Sequence, residues 1–310
     1  MMWAIWKNEN IKWMHKTSTW IIGGLVVLMI IGAALLSRWN GLEEESQWRA
    51  DYEQALTQYE EGGEQTGASL TPELAAEYEY RLQENIPPLA AYGQWNYVDE
   101  MTLMISFITL FSIIVTSTLV ASEFQTGSVK LLFIRPIPRW KLLVGKYLSG
   151  MTFAALLTIF TLASVYITGG LVFGFSPLDA PYLYSSADLA ERNVAVHMLS
   201  TFGLGFIQTA VMTLFAVMIA SLFRSNAMAI GISVFSMFFG TTATALLAQL
   251  NETLASYSLF ANNDLTVFIS DNVRQLVDVG PWFSITVLSC YTLLFVVIAL
   301  VSFTQRDVAI

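Results

Sequence analysis

Six long stretches of this chain contain no Asp, Glu, Lys or Arg: 17–37, 101–122, 147–178, 193–223, 225–251 and 279–305. They run to 21, 22, 32, 31, 27 and 27 residues and consist mostly of Leu, Ile, Val, Phe, Ala, Met and Gly. About 20 apolar residues suffice for a helix to cross the hydrocarbon core of a bilayer, so every stretch is long enough. Helices of soluble proteins seldom exceed about 20 residues and keep a polar face, which these stretches lack. The pattern predicts an all-α membrane protein, a single domain over 1–310, with transmembrane helices at about 18–37, 101–121, 147–173, 197–223, 227–249 and 282–303. An outer loop over 38–100 and an inner loop over 122–146 are the longest connections.

The polar segments add detail. Residues 1–16, MMWAIWKNENIKWMHK, read as an amphipathic interfacial helix. Trp3, Ile5, Trp6, Trp13 and Met14 form its apolar side, Lys7, Lys12 and Lys16 meet anionic headgroups, and Glu9 lies among them. The first apolar stretch begins after 16 residues and ends in Leu35-Leu36-Ser37-Arg38 without a small-residue cleavage site, so it reads as a retained anchor rather than a signal peptide. In the loop 38–100, Trp48, Tyr52, Leu56 and Tyr59 recur at helical spacing. Gly62-Gly63 and Gly67 then break the chain, and Thr71 with Pro72 opens a second helix carrying Leu74, Tyr78 and Leu82. Pro87-Pro88 stops it. The expectation is an acidic extracellular helical hairpin between helices 1 and 2. Arg224-Ser225-Asn226 makes a tight turn between antiparallel helices, and residues 252–278 are read either as short helices dipping into the membrane face or as a folded loop. Gly170 with Gly174, and Ala227 with Gly231, have the small-xxx-small spacing that lets helices approach closely.

Composition fits this picture: 55% of residues are hydrophobic and only 13% charged, against about 25% charged in soluble domains. Charge also gives an orientation. With odd-numbered helices leaving the cytoplasm, the inner segments hold ten basic residues and three acidic ones, a net +7, while the outer segments hold five basic and 21 acidic, a net −16. Lys and Arg resist translocation, so both termini are expected in the cytoplasm. The acidic surplus reflects what translocated loops tolerate.

Chemistry is thin. The apolar stretches contain no ionisable group except His197, which reads as a polar residue near a helix end, and the single cysteine, Cys290, reads as a packing residue. There is no HExxH, GxSxG or CxxC, which leaves zinc proteolysis, serine hydrolysis and dithiol exchange without candidates. Gly145-Lys146 has the look of the last pair of a phosphate-binding loop, but Trp140 stands where that loop needs its first Gly and Tyr147 where it needs Ser or Thr. The chain is expected to bind no cofactor and no nucleic acid and to be no enzyme.

The densest inner segment is SEFQTGSVKLLFIRPIPRWKLLVGKYLSG, 122–150. Gly127-Ser128 turns the chain and starts a short helix with Val129, Leu131, Leu132 and Ile134 on its apolar side; Pro136 and Pro138 stop it. Such an element suits docking into another protein's groove or simply a topology-setting basic loop. The run Glu123-Phe124-Gln125-Thr126-Gly127-Ser128, followed by Leu131-Leu132, Pro136, Arg139 and Gly145-Lys146, resembles the loop between helices two and three of ABC-2 type transporter permeases. The opening Lys7-Asn8-Glu9-Asn10-Ile11-Lys12 and the six-helix plan are similar too, although the long acidic loop departs from many relatives. The resemblance implies the permease subunit of an ATP-driven exporter, paired with a second copy or a related permease and seated on cytosolic ATP-binding subunits that use ATP and Mg. Glu123, Gly127, Ser128, Leu131, Leu132, Arg135, Pro136, Pro138, Arg139 and Lys146 would then form the ATPase-coupling loop. Trp6, Lys7, Glu9, Lys12 and Trp13 would mark the interfacial N-terminal helix beside it, in contact with lipid. The implied cargo is a peptide antibiotic, drug or lipid. A non-transporting sensor or scaffold, and an autonomous channel or carrier, are the alternatives.

Overall fold

The computed structural model describes residues 2–40, 48–62, 72–85, 93–125, 138–186, 188–223, 225–269 and 277–305. Six helical segments are long and apolar enough to cross a membrane: Thr17–Trp39, Gln94–Ser122, Arg139–Phe173, Val194–Phe223, Asn226–Leu250 and Pro281–Thr304. This is the fold of a membrane protein. Helix α1 (Met2–Met14) precedes the first span, α2 (Thr17–Asn40). Helices α3 (Trp48–Gly62) and α4 (Pro72–Glu84) follow, with the rings of Tyr52 and Tyr78 stacked 3.9 Å apart and 4° from parallel. Burial in this contact raises the Tyr52 phenol above its ordinary pKa, against the opposing pull of Arg81.

The second span is compound: α5 (Gln94–Glu100), a 3-10 turn at Met101–Leu103, and α6 (Met104–Gln125). The third, α7 (Arg139–Phe173), starts well before the expected 147, so Arg139, Lys141 and Lys146 stand on its first two turns rather than in a loop. Nothing in RWKLLVGKYL breaks a helix, and the preceding Pro138, with φ −56°, suits a helix start.

One element corrects the all-α expectation. Between α7 and the fourth span, strands β1 (Pro181–Ser186) and β2 (Asp188–Asn193) pair antiparallel, with Tyr182 opposite Arg192 and Ser186 opposite Asp188. Tyr and Leu at 182–184 favour a pleated backbone, and the segment lies between two uncharged stretches where a membrane-span criterion is silent. The remaining elements are α8 (Val194–Phe223), α9 (Asn226–Leu250), α10 (Glu252–Ser256), α11 (Leu259–Asn262), a 3-10 turn at Leu265–Phe268, and α12 (Pro281–Gln305). Short capped helices therefore fill 252–268: Asn251, Ser258 and Asp264 each accept a backbone N–H of the element that follows. Ser225 caps α9 in the same way directly after α8, which makes these two helices packed neighbours.

Helix α8 is the most buried span, whereas α2 and α9 turn most of their surface outward. One apolar core joins α6, α8, α9 and α12; a second joins α1, α2, α5, α6 and α7. Small-residue packing occurs where it was not expected. A Cβ on Gly150 would overlap Thr116 on α6, and one on Gly205 would lie 2.6 Å from Ile105. Gly170 instead makes room for the Phe175 ring, Gly174 (φ 88°) turns the chain at the end of α7, and Gly231 meets nothing within 4 Å in this chain. Cys290 is exposed on α12 rather than packed. His197 is fully buried in the first turns of α8, its ring stacked 3.8 Å from Tyr182.

Candidate functional site

The densest polar cluster among the described residues lies where α1 crosses the start of α7. Close approach depends on Gly145, where a Cβ would stand 2.6 Å from Ile5 Cγ2. From there one face of α7, at Gly145, Ser149, Thr152 and Phe153, follows the spacing that aligns residues three and four apart. Trp6, Glu9, Asn10 and Trp13 do the same on α1. The Trp6 indole donates to Thr152 Oγ1 at 2.8 Å. The Trp13 indole donates to Ser149 Oγ at 3.1 Å and Asn10 Oδ1 at 3.2 Å, while Ser149 Oγ donates to Asn10 Oδ1 at 2.6 Å. Trp13 also sets its ring edge-on to Phe153, 5.3 Å between centroids.

At the centre stands Lys146, 1% exposed. Its ammonium donates to the Leu119 carbonyl of α6 at 2.7 Å and to Glu9 Oε2 at 3.2 Å. Glu9, 4% exposed, also receives Lys12 Nζ at 2.6 Å through its other oxygen. A lysine charge buried at this level persists only with such partners. Lys146 therefore ties three elements together: α1 through the carboxylate, α6 through a carbonyl near its C-terminal end, and α7 through its own backbone. Six residues before α7 enters this cluster at Gly145, a second cation does related work. Arg139 Nη1 donates to the Thr304 carbonyl at 3.0 Å, at the C-terminal end of α12, where exposed carbonyls favour a positive charge. Lys141 lies over the Trp140 ring at 5.4 Å.

The expected site residues divide accordingly. Trp6, Glu9, Lys12, Trp13 and Lys146 come together in one cluster, Arg139 holds α12, and Pro138 and Lys7 are exposed. Gly127, Ser128, Leu131, Leu132, Arg135 and Pro136, together with the Glu123 side chain, lie outside the described residues. So do the short helix expected at 128–134, Thr71 and Pro87-Pro88. The amphipathic reading of α1 divides differently in space. Trp3, Ile11 and Met14 are exposed, whereas Glu9 and Asn10 are buried with Trp13. Asn10, Ser149, Thr152 and the Leu119 carbonyl were missed. The signal for Asn10 was present, since it stands four residues after Trp6 and three before Trp13, on the same helical face. Ser149 carried no such signal, because an isolated Ser in an apolar stretch is ordinary.

Among the described residues no group of three or more His, Cys, Asp and Glu could hold a metal ion. The shared ion pair and hydrogen bonds hold α1, α6 and α7 to one another at this end of the bundle.

Known proteins place the chain in a family. It is 30% identical over 311 residues to "Uncharacterized protein YhcI" of Bacillus subtilis (strain 168), an alignment covering 97% of this chain and 98% of that protein. It is 26% identical over 218 residues to "Uncharacterized membrane protein YdbK" of the same organism, covering 70% of this chain and 83% of that one. Residues 69–309, from α4 to the end of α12, match the family described as "Protein of unknown function (DUF2705)". This six-span membrane protein belongs to the DUF2705 family.

Proposed function

We propose that the chain is the permease subunit of an ATP-driven exporter in the bacterial cytoplasmic membrane. Two copies, or one copy and a related permease, form the pathway, and separate cytosolic subunits hydrolyse ATP with Mg. The end carrying α1, Arg139 and Lys146 faces the cytoplasm, with both termini, and α3 and α4 lie outside. The single observation that carries this reading is the joint built by Lys146, Glu9 and the Leu119 carbonyl. A transport subunit without its own nucleotide site needs a stiff connection between the surface an ATPase pushes on and the helices that must move. The joint lies at both ends of segment 126–137, between α6 and α7, which carries the ABC-2-like pattern. Coupling then requires only that inward-facing and outward-facing states differ in their contacts with the ATPase. A peptide antibiotic, a drug or a lipid fits the export role.

The test is to replace Glu123 or Arg139 by Ala in the complex reconstituted with its ATP-binding subunit. Cargo-stimulated ATP hydrolysis is expected to fall several-fold while the amount of chain in the membrane stays unchanged. Solute flux through the isolated chain in liposomes, with no ATPase present, would overturn the proposal in favour of an autonomous channel or carrier.

A further inference from the structure

Away from the α1 joint, helices α6, α8 and α9 and the segment after α9 border a cavity of about 370 Å³. An apolar cavity of about 150 Å³ accepts benzene, so this one has room for a ring together with an alkyl chain. Its lining is two-sided. Met237, Phe238, Phe260, Val267 and Phe268 supply apolar and aromatic surface, and Gln208, Asn263 and Asp264 supply oxygens. No Lys, Arg or His is among the described lining residues.

The Asp264 carboxylate is held in place. Asp264 Oδ1 accepts the Thr266 N–H at 3.0 Å and the Thr266 hydroxyl at 2.6 Å, which fixes the carboxylate at the cavity wall. Asn263 is 6% exposed, and its Oδ1 has no hydrogen-bond partner among the described residues. A carboxylate beside apolar surface attracts cations, and phenylalanine rings attract cations as well.

We propose that this cavity binds an organic cation, an alkyl- or arylalkyl-ammonium, with its charge at Asp264 and its apolar body against Phe238 and Phe260. As an assignment of cargo class this rests on the exporter reading; as a binding site it belongs to this chain alone.

The experiment uses the full chain in phosphatidylcholine nanodiscs and equilibrium dialysis of radiolabelled 4-phenylbutylamine, with 4-phenylbutyrate as the charge-reversed comparison. Uptake by empty nanodiscs is subtracted. Saturable binding of the amine is expected, at about one per chain, with none of the carboxylate. Asp264→Asn keeps an oxygen for Thr266 and should weaken binding at least tenfold. Ser106→Phe, which fills the cavity from α6, should abolish it without touching the cap. Amine uptake no greater than that of empty nanodiscs, equal uptake of the carboxylate, or unchanged binding in both variants overturns the proposal. Saturable amine binding by a chain that has no ATPase partner keeps the site and removes the exporter. An ATPase partner without amine binding removes the site alone.

Discussion

Among the described residues the Lys146 charge is the most deeply buried of the Lys, Arg, Asp and Glu side chains, and it is shared among three helices. Removing one member of a buried, hydrogen-bonded ion pair typically costs about 3–5 kcal/mol, since the remaining charge stays desolvated. Lys146→Met leaves Glu9 with Lys12 alone and leaves the Leu119 carbonyl without its ammonium donor. We expect a loss of about that size in thermal or denaturant unfolding in detergent. Removing both charges, as Lys146→Met with Glu9→Met, should cost less than the sum of the two single changes, because no unpaired ion is left behind. Additivity of the two would mean that the charges do not interact across the joint.

At the scale of elements, the joint depends on backbones that nearly touch. Gly150 lies against Thr116, and a methyl group there must push α6 and α7 apart. Overpacking of this kind costs about 1–3 kcal/mol, so Gly150→Ala should lower the unfolding temperature, while Gly231→Ala, which meets nothing in this chain, should not. These elements also mark how far the sequence could be read. Uncharged length alone predicts six spans, since a bilayer leaves few other uses for such stretches, and six candidate spans are present. The start of α7 was hidden because Arg139, Lys141 and Lys146 interrupt the uncharged run, yet cations are tolerated in a helix whose carbonyl and carboxylate neighbours satisfy them. The β1–β2 pair was hidden because its alternation covers only a few residues. Glu9 and Lys146 were each singled out but not paired: they stand 137 residues apart, and only the crossing of α1 over α7 makes them neighbours. The cavity beside Asp264 was invisible for the same reason, since its walls come from four separate parts of the chain.

For the whole molecule, the proposed function makes this six-span bundle half of a machine whose energy enters through another chain. A sensor or scaffold needs no stoichiometric ATPase, and an autonomous carrier needs none either, so composition of the native complex separates the three. The direct measurement is purification from native membranes in mild detergent through a tag on this chain, followed by identification of the co-eluting subunits and assay of ATP hydrolysis. The account predicts an ATP-binding subunit in equal amount with this chain, or with this chain plus a related permease, and a vanadate-sensitive hydrolysis that co-elutes with it. A chain that elutes without any ATP-hydrolysing subunit, under conditions that preserve other membrane complexes, would contradict it.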